Sequence, residues 1–376
     1  MDDVKYMQEA LELARRGIGL VEPNPAVGCV IVKDGEVIGR GWHRKFGGAH
    51  AEINAIVDCR ENGKDTAGAK MYVTLEPCAH HGKTPPCADA VVKAKPAKVV
   101  IAAEDPSDQA AGGVEKLKQA GVRVKTGICR REAVEINRAF FKYAGTGLPW
   151  VTLKWAQSID GKMAYREPGV YGQWLSNEES RKDVHALRRQ VGAILVGSKT
   201  VVMDDPRLTV RPQSHRQPLR VVLDTKLVTP PEANVCKTEE APTLVVTTKA
   251  TAGKHTGKVG KLKKRGVDVL AVEETAGAVH LDLRDVLEEL GRRGVQHLMV
   301  EGGATVLTSF LKNDLADEVR VYVAPKILAG KGRAGISEAF ADLAGVLNLS
   351  GVHAKYFKGD VRISGYTPKG QEALER

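Results

Sequence analysis

One imidazole, two thiols and a carboxylate stand in chemically suggestive order between residues 50 and 87. They are His50-Ala51-Glu52, then Glu76-Pro77-Cys78, then Pro85-Pro86-Cys87. Imidazole and thiolate donors suit zinc. Three protein ligands, His50, Cys78 and Cys87, would leave a fourth position for water, as a catalytic rather than a structural site requires. Zinc lowers the pKa of a bound water from about 15.7 to about 7. A carboxylate must then carry protons, and Glu52 lies two residues from the histidine. Positions i and i+2 do not share a helix face, so the metal must sit at a helix's first turn, where side chains still converge. A second helix opening at Cys87 would stabilise its thiolate through the positive helix end. A structural site would recruit a fourth ligand from His43, His80 or His81, which stays open as an alternative.

The order His-x-Glu, Pro-Cys, Cys matches the signature of zinc nucleobase deaminases, except that eight residues separate the cysteines in place of two. In the second half, Glu301-Gly302-Gly303-Ala304 follows an apolar run and opens a helical pattern. Glycines permit close backbone approach, and a helix N-terminus favours phosphate. Lys83, beside the thiol pair, suits phosphate as a point charge.

The elements that must position these residues follow from periodicity. Val4, Met7, Leu11 and Ala14 predict a helix over 2–16. Two apolar runs, 26–32 and 37–42, flank an Asp-Gly turn and predict a hairpin. A helix from about His50, strands over 71–75, 99–103 and 122–126, and helices over 88–94, 114–120 and 130–143 complete a layered α/β pattern. Ala144 to Pro149 carries two glycines and a proline and predicts a linker. Beyond it, strands are expected over 193–196, 219–223, 243–247, 267–272 and 297–300, and helices over 281–290 and 304–311. Ser176 and Glu179 predict a capping box for a helix reaching Gln190.

With 376 residues, two domains are expected. The charged share of 27% and hydrophobic share of 43% exclude disordered, collagenous and disulfide-scaffold classes. No apolar run reaches the ~18 residues of a membrane span, and the start lacks a secretory signal pattern, so a cytoplasmic protein is expected. The net charge of +10 favours anionic partners. The basic run Lys254–Arg265, interrupted by Val259 and Leu262, reads as a solvated helix face. Cys29, Cys59 and Cys129 read as small buried hydrophobes.

The segment Cys78-Ala79-His80-His81-Gly82-Lys83-Thr84-Pro85-Pro86-Cys87 resembles the bifunctional riboflavin-biosynthesis deaminase/reductase family. Pro23-Asn24-Pro25, Gly41-Trp42-His43, Lys154, Ser158-Ile159-Asp160-Gly161, Trp174, His185-Ala186-Leu187-Arg188 and Asp204-Asp205-Pro206 extend the resemblance over essentially the whole chain. It implies a cytidine-deaminase-like αβα layered domain over 1–146 and a dihydrofolate-reductase-like α/β domain over 147–376. The first would hydrolyse the 2-amino group of 2,5-diamino-6-(5-phosphoribosylamino)pyrimidin-4-one, with His50, Cys78 and Cys87 on zinc and Glu52 as proton shuttle. The second would use NADPH to reduce the ribosyl group of 5-amino-6-(5-phosphoribosylamino)uracil to ribityl. By the resemblance, Asn24, His43, Lys83, Lys154, Arg188, Leu208, Arg211 and Glu301 contact substrate, with Arg188 and Arg211 suited to its phosphate through bidentate guanidinium contacts. Ala156, Trp174, Thr200, Asp204, Thr225, Gly302 and Gly303 contact cofactor, with Asp204 beside the reacting carbon. The partners implied are a small phosphorylated pyrimidine and further copies of the chain, with no nucleic acid and no membrane. The competing reading is a zinc deaminase acting on a base in tRNA or single-stranded DNA. Three departures stand out: Ala79 and Gly172 occupy positions where the family commonly has Ser, and 105–113 replaces an asparagine-containing pattern.

Overall fold

The computed structural model describes residues 2–80, 85–107, 111–167, 169–170, 174–212, 216–273, 281–335, 341 and 345–375. The chain divides into two compact units, Met1–Thr146 and Gly147–Leu374.

The first unit comprises α1 (Asp2–Arg15), β1 (Gly28–Lys33), β2 (Glu36–Trp42), α2 (Ala51–Glu61), β3 (Lys70–Leu75), α3 (Cys87–Lys93), β4 (Lys98–Ala103), α4 (Gly113–Gln119), β5 (Arg123–Thr126), α5 (Arg130–Ile136) and α6 (Arg138–Thr146). Its five strands run in the order β2-β1-β3-β4-β5, with β2, β1 and β3 antiparallel to their neighbours and β3, β4 and β5 parallel. Parallel strands bring their C-terminal ends and the following helix N-termini to one edge. Apolar side chains of α2, α3 and α4 close on one sheet face, where Cys29, Ile31, Met71, Val73 and Ile101 are buried with Ile56, Val91 and Leu117. Cys129 departs from the buried expectation: it is partly exposed, in the left-handed region before α5. One continuous helix over 130–143 is also corrected. Asn137 interrupts it, because its side chain accepts from the Ala26 N–H at 2.8 Å and donates to the Ala26 carbonyl at 2.9 Å. The next helix then runs to Thr146, into the expected linker.

The second unit comprises β6 (Trp150–Ser158), β7 (Lys162–Tyr165), α7 (Glu178–Gln190), β8 (Ala193–Gly197), α8 (Ser198–Asp204), β9 (Leu219–Leu223), β10 (Thr243–Thr248), α9 (Lys249–Lys254), α10 (Thr256–Lys264), β11 (Asp268–Val272), α11 (Leu283–Arg292), β12 (His297–Val300), α12 (Ala304–Lys312), β13 (Glu318–Ala324), β14 (Gly332–Gly335), β15 (Ser350–Phe357), β16 (Asp360–Tyr366) and α13 (Pro368–Glu375). Nine strands run β11-β10-β9-β8-β12-β6-β13-β16-β15. The seven from β11 to β13 are parallel, and the β15–β16 hairpin closes the far edge antiparallel. The central strands read as unbroken apolar runs, as expected where both sheet faces are covered; β8 and β12 are buried throughout. The cap of α7 falls one residue later than the sequence suggests: Asn177, not Ser176, accepts from the Ser180 N–H. No helix among the described residues is long and apolar enough to cross a membrane.

Candidate functional site

In the first unit, His50 caps α2 and Glu52 lies in that helix's first turn. Gly41 makes this possible: a Cβ there would sit 2.2 Å from the Ala51 carbonyl oxygen, so α2 can press on β2 only against glycine. Cys78 follows β3, and Cys87 opens α3. His50 Nδ1 lies 3.2 Å from Cys87 Sγ and 3.8 Å from Cys78 Sγ. All three donor atoms fall within 4.8 Å of one another, the one such cluster among the described residues. An imidazole and two thiols converging this closely fit a zinc ion without rearrangement of the fold. The Cys87 N–H also donates to Cys78 Sγ at 3.4 Å. The hydrogen bond from Cys87, aided by His50, draws the Cys78 thiol down to about 4, while Cys87 shifts up in turn. Glu52 is buried, and burial pushes its carboxyl up to about 7 against the pull of His50.

His43 joins this cluster. Its ring meets that of His50 edge-on, with centroids 5.1 Å apart. Nδ1 lies 3.1 Å from the Ala49 carbonyl oxygen, which fixes the ring, while Nε2 is buried with no partner among the described residues. Burial lowers the His43 pKa, so the ring is neutral at pH 7 and Nε2 offers a lone pair. Asn24 sits in the turn before β1, bonded through its backbone to Val21, and no described contact ties it to the ligands. Lys83 lies outside the described residues.

Glu76 adjoins Pro77-Cys78 but shows no role in the sequence alone. Its buried carboxylate accepts from three backbone N–H groups, those of Asp105, Gly112 and Val114, at 3.0, 3.1 and 2.8 Å. This clamps Asp105, Gly112 and Val114 onto the residue that precedes Pro77-Cys78. Gly113 completes the fit, since a Cβ there would stand 1.9 Å from the Pro77 oxygen. A carboxylate spent on backbone donors is invisible to motif reading, because its partners lie 29 to 38 residues away. Glu76→Gln turns one acceptor into a donor facing N–H groups. Groups behind metal ligands typically tune affinity 10–100-fold. We expect zinc affinity to fall about tenfold, measured by competition with a chromophoric chelator; unchanged affinity would show that the clamp does not reach Cys78.

In the second unit, the structure brings Lys154 of β6, Arg188 of α7 and Glu301 beyond β12 into contact. Arg188 Nε and Nη2 donate to the two Glu301 oxygens at 2.6 and 2.8 Å, and Nη1 donates to the Thr209 carbonyl at 3.0 Å. Lys154 Nζ lies 3.8 Å from Glu301. The bidentate geometry expected of Arg188 toward a phosphate is therefore spent on Glu301. Burial pushes the Glu301 carboxyl up, but Arg188 and Lys154 overrule it and hold it at about 2. Burial lowers Lys154; Glu301 opposes this, and Arg188 adds to it. His185, unassigned by the sequence, accepts from the Arg211 N–H at 3.2 Å; burial and the cations Arg188 and Arg211 depress it to about 4. Leu208 is buried on the same loop.

The cofactor candidates are more dispersed. The Gly303 N–H donates to Thr200 Oγ1 at 3.0 Å, joining the glycine turn to α8. Ala156 packs beside Tyr165, Leu175 and Leu328. Trp174 is exposed, with the Arg181 guanidinium 5.7 Å from its ring. Thr247 Oγ1 donates to the Thr225 carbonyl at 3.4 Å. Asp204 ends α8 and is exposed. No described contact links Asp204, Trp174 or Thr225 to Glu301. Gly172 lies outside the described residues.

Comparison with known proteins gives two family matches: the cytidine and deoxycytidylate deaminase zinc-binding region over residues 1–103 and the RibD C-terminal domain over residues 149–361. The chain is 46% identical to riboflavin biosynthesis protein RibD of Aquifex aeolicus, over 88% of each. Among solved structures it is similar to Acinetobacter baumannii RibD, with TM-score 0.82, 37% identity and 97% and 98% of the two chains covered. It is similar also to the Thermotoga maritima diaminohydroxyphosphoribosylaminopyrimidine deaminase/5-amino-6-(5-phosphoribosylamino)uracil reductase, with TM-score 0.81, 33% identity and the same coverage.

Proposed function

Since this chain belongs to the RibD family, the bifunctional deaminase/reductases of riboflavin biosynthesis, we propose that residues 1–146 carry the deaminase site and residues 147–376 the reductase site. The N-terminal part is a cytidine-deaminase-like domain and the C-terminal part a RibD reductase domain, both α/β. The substrate of the first site is 2,5-diamino-6-(5-phosphoribosylamino)pyrimidin-4-one. That of the second is 5-amino-6-(5-phosphoribosylamino)uracil, reduced at its ribosyl chain. The observation that carries the deaminase reading is the convergence of His50, Cys78 and Cys87 beside buried Glu52.

His50, Cys78 and Cys87 would hold zinc, which when bound makes water nucleophilic at neutral pH. Glu52 takes a proton as water adds to the ring carbon and delivers it to the ring nitrogen, then carries the second water proton to the amine nitrogen, which leaves as ammonia as the carbonyl forms. His43 presents its Nε2 lone pair to an N–H of the pyrimidine. Asn24 lines the same pocket, and Lys83 meets the phosphate. In the second site NADPH supplies the hydride when bound, held by Ala156, Trp174, Thr200, Thr225, Gly302 and Gly303. Asp204 lies beside the reacting carbon. Glu301, fixed by Arg188, orients the ribosyl hydroxyls, with Lys154 close by and Leu208 and Arg211 at the outer end. The protein's part there is alignment and charge. The same reading makes the enzyme a cytoplasmic homo-oligomer with no nucleic-acid or membrane partner.

The test is to give zinc-loaded protein the diaminopyrimidine precursor with NADPH. We expect ammonia release followed by equimolar NADPH oxidation. Ammonia without NADPH loss would refute the reductase assignment. Neither signal, with zinc bound, would refute both and favour a polynucleotide substrate.

A further inference from the structure

We propose that Asn234 is a positioning residue for Asp204, acting through a side-chain and backbone clamp on Asp205; this rests on the reductase reading of Asp204. No hydrogen bond among the described residues holds the Asp204 carboxylate, so its direction depends on the backbone beneath it. That backbone is unusual. Asp205 leaves α8 in the left-handed region, at φ 38° and ψ 55°. A non-glycine residue holds this conformation only when its surroundings impose it.

Asn234 imposes it. Its N–H donates to Asp205 Oδ1 at 2.7 Å. Its Nδ2 donates to Asp205 Oδ2 at 2.8 Å and to the Asp205 carbonyl at 3.0 Å. Every other polar group of Asn234 is committed too. Lys237 Nζ donates to Oδ1 at 2.8 Å, and Arg220 Nη1 donates to the Asn234 carbonyl at 3.2 Å. Arg220 is fully buried on β9, and the same Nη1 lies 3.3 Å from the Arg207 carbonyl oxygen, on the loop that leads to Leu208. Its Nη2 donates to the Lys237 and Ala241 carbonyls at 2.8 and 2.5 Å. The exit of α8 is thereby tied to a central strand of the sheet through Asn234. An asparagine suits this task because it supplies a donor to a carboxylate and an acceptor to a lysine at once.

The arrangement predicts a rescue that a merely structural contact would not show. Asp205→Asn places amide donors against the Asn234 amide, and Asn234→Asp places two carboxylates together. Combined, they restore a donor facing an acceptor between the two side chains and keep the Lys237 contact, while the bond to the Asp205 carbonyl stays lost. In the full-length zinc-loaded chain, each single variant should lower reductase kcat about tenfold or more, leaving the NADPH KM within about threefold, because the loss is one of alignment. The double variant should turn over at least about threefold faster than either single variant. Ammonia release should stay unchanged in all of them. If N234D does not fold, N234A replaces it, with its unfolding midpoint measured alongside turnover. Single variants with wild-type reductase turnover overturn the proposal, as does a folded double variant as slow as the singles. A wild-type chain that releases ammonia and leaves NADPH intact overturns the reductase reading and the clamp's role together.

Discussion

Glu52→Gln should bind zinc as wild type does and release ammonia at least about a hundredfold more slowly, since a positioned general acid–base contributes about 10²–10⁴. Glutamine keeps the shape of the side chain but cannot carry a proton. The three ligand atoms are untouched, so zinc content measured by atomic absorption should stay at one per chain. The substitution removes a buried ionisable group, and a neutral amide costs less to bury than a carboxylate. The unfolding midpoint should therefore hold or rise. NADPH oxidation on the separately prepared deaminated product should be unaffected. Ammonia release at the wild-type rate would remove Glu52 from the mechanism.

Glu301→Gln should cost the second unit about 3–5 kcal/mol of stability and lower NADPH oxidation at least about a hundredfold. The carboxylate is buried between the Arg188 fork and Lys154, so its removal leaves two cations without a counter-charge. Breaking such a group by deleting one partner is far more destructive than replacing all of it. The acid limb gives an independent check. The Glu301 pKa falls from an ordinary 4.5 to about 2 on folding. A depressed carboxyl stabilises the fold above its unfolded pKa and loses that contribution as pH falls through the folded one. About 3 kcal/mol is thus present above pH 4.5 and disappears progressively toward pH 2. The stability gap between wild type and Glu301→Gln, read from urea unfolding, should narrow over that window. A gap that stays constant from pH 6 to pH 3 would show that the carboxylate is not held by its cations.

The strand β15 escaped the sequence for a physical reason. β15 is mostly exposed along its length, and the short alternation of Val352, Ala354 and Tyr356 with His353 and Lys355 is too brief to set it apart. Its pairing with β16 is set by backbone hydrogen bonds and by the turn at Lys358 and Gly359, both at positive φ. By contrast, β8 and β12 announce themselves because burial on both faces demands continuous apolar residues. The break at Asn137 was hidden for another reason. Asparagine is only mildly unfavourable in helices, and its true partner, Ala26, lies 111 residues away.

The sequence by itself pointed to His50, Cys78 and Cys87 as candidate metal donors, to Glu52 beside them and to the helix starts that present them. Ligand chemistry is a property of residue type, and a histidine two residues before a glutamate can share one metal only at a helix's first turn. The alternation of strands and helices was likewise written in periodicity. Only the tertiary structure decided where the long polar side chains spend their donors. Arg188 meets Glu301 across 113 residues, Glu76 gathers backbone N–H groups from beyond β4, and Asn234 reaches back to Asp205. A guanidinium or carboxylate can bind ligand, backbone or another side chain with similar energy, so its identity leaves the choice open until folding sets the neighbours.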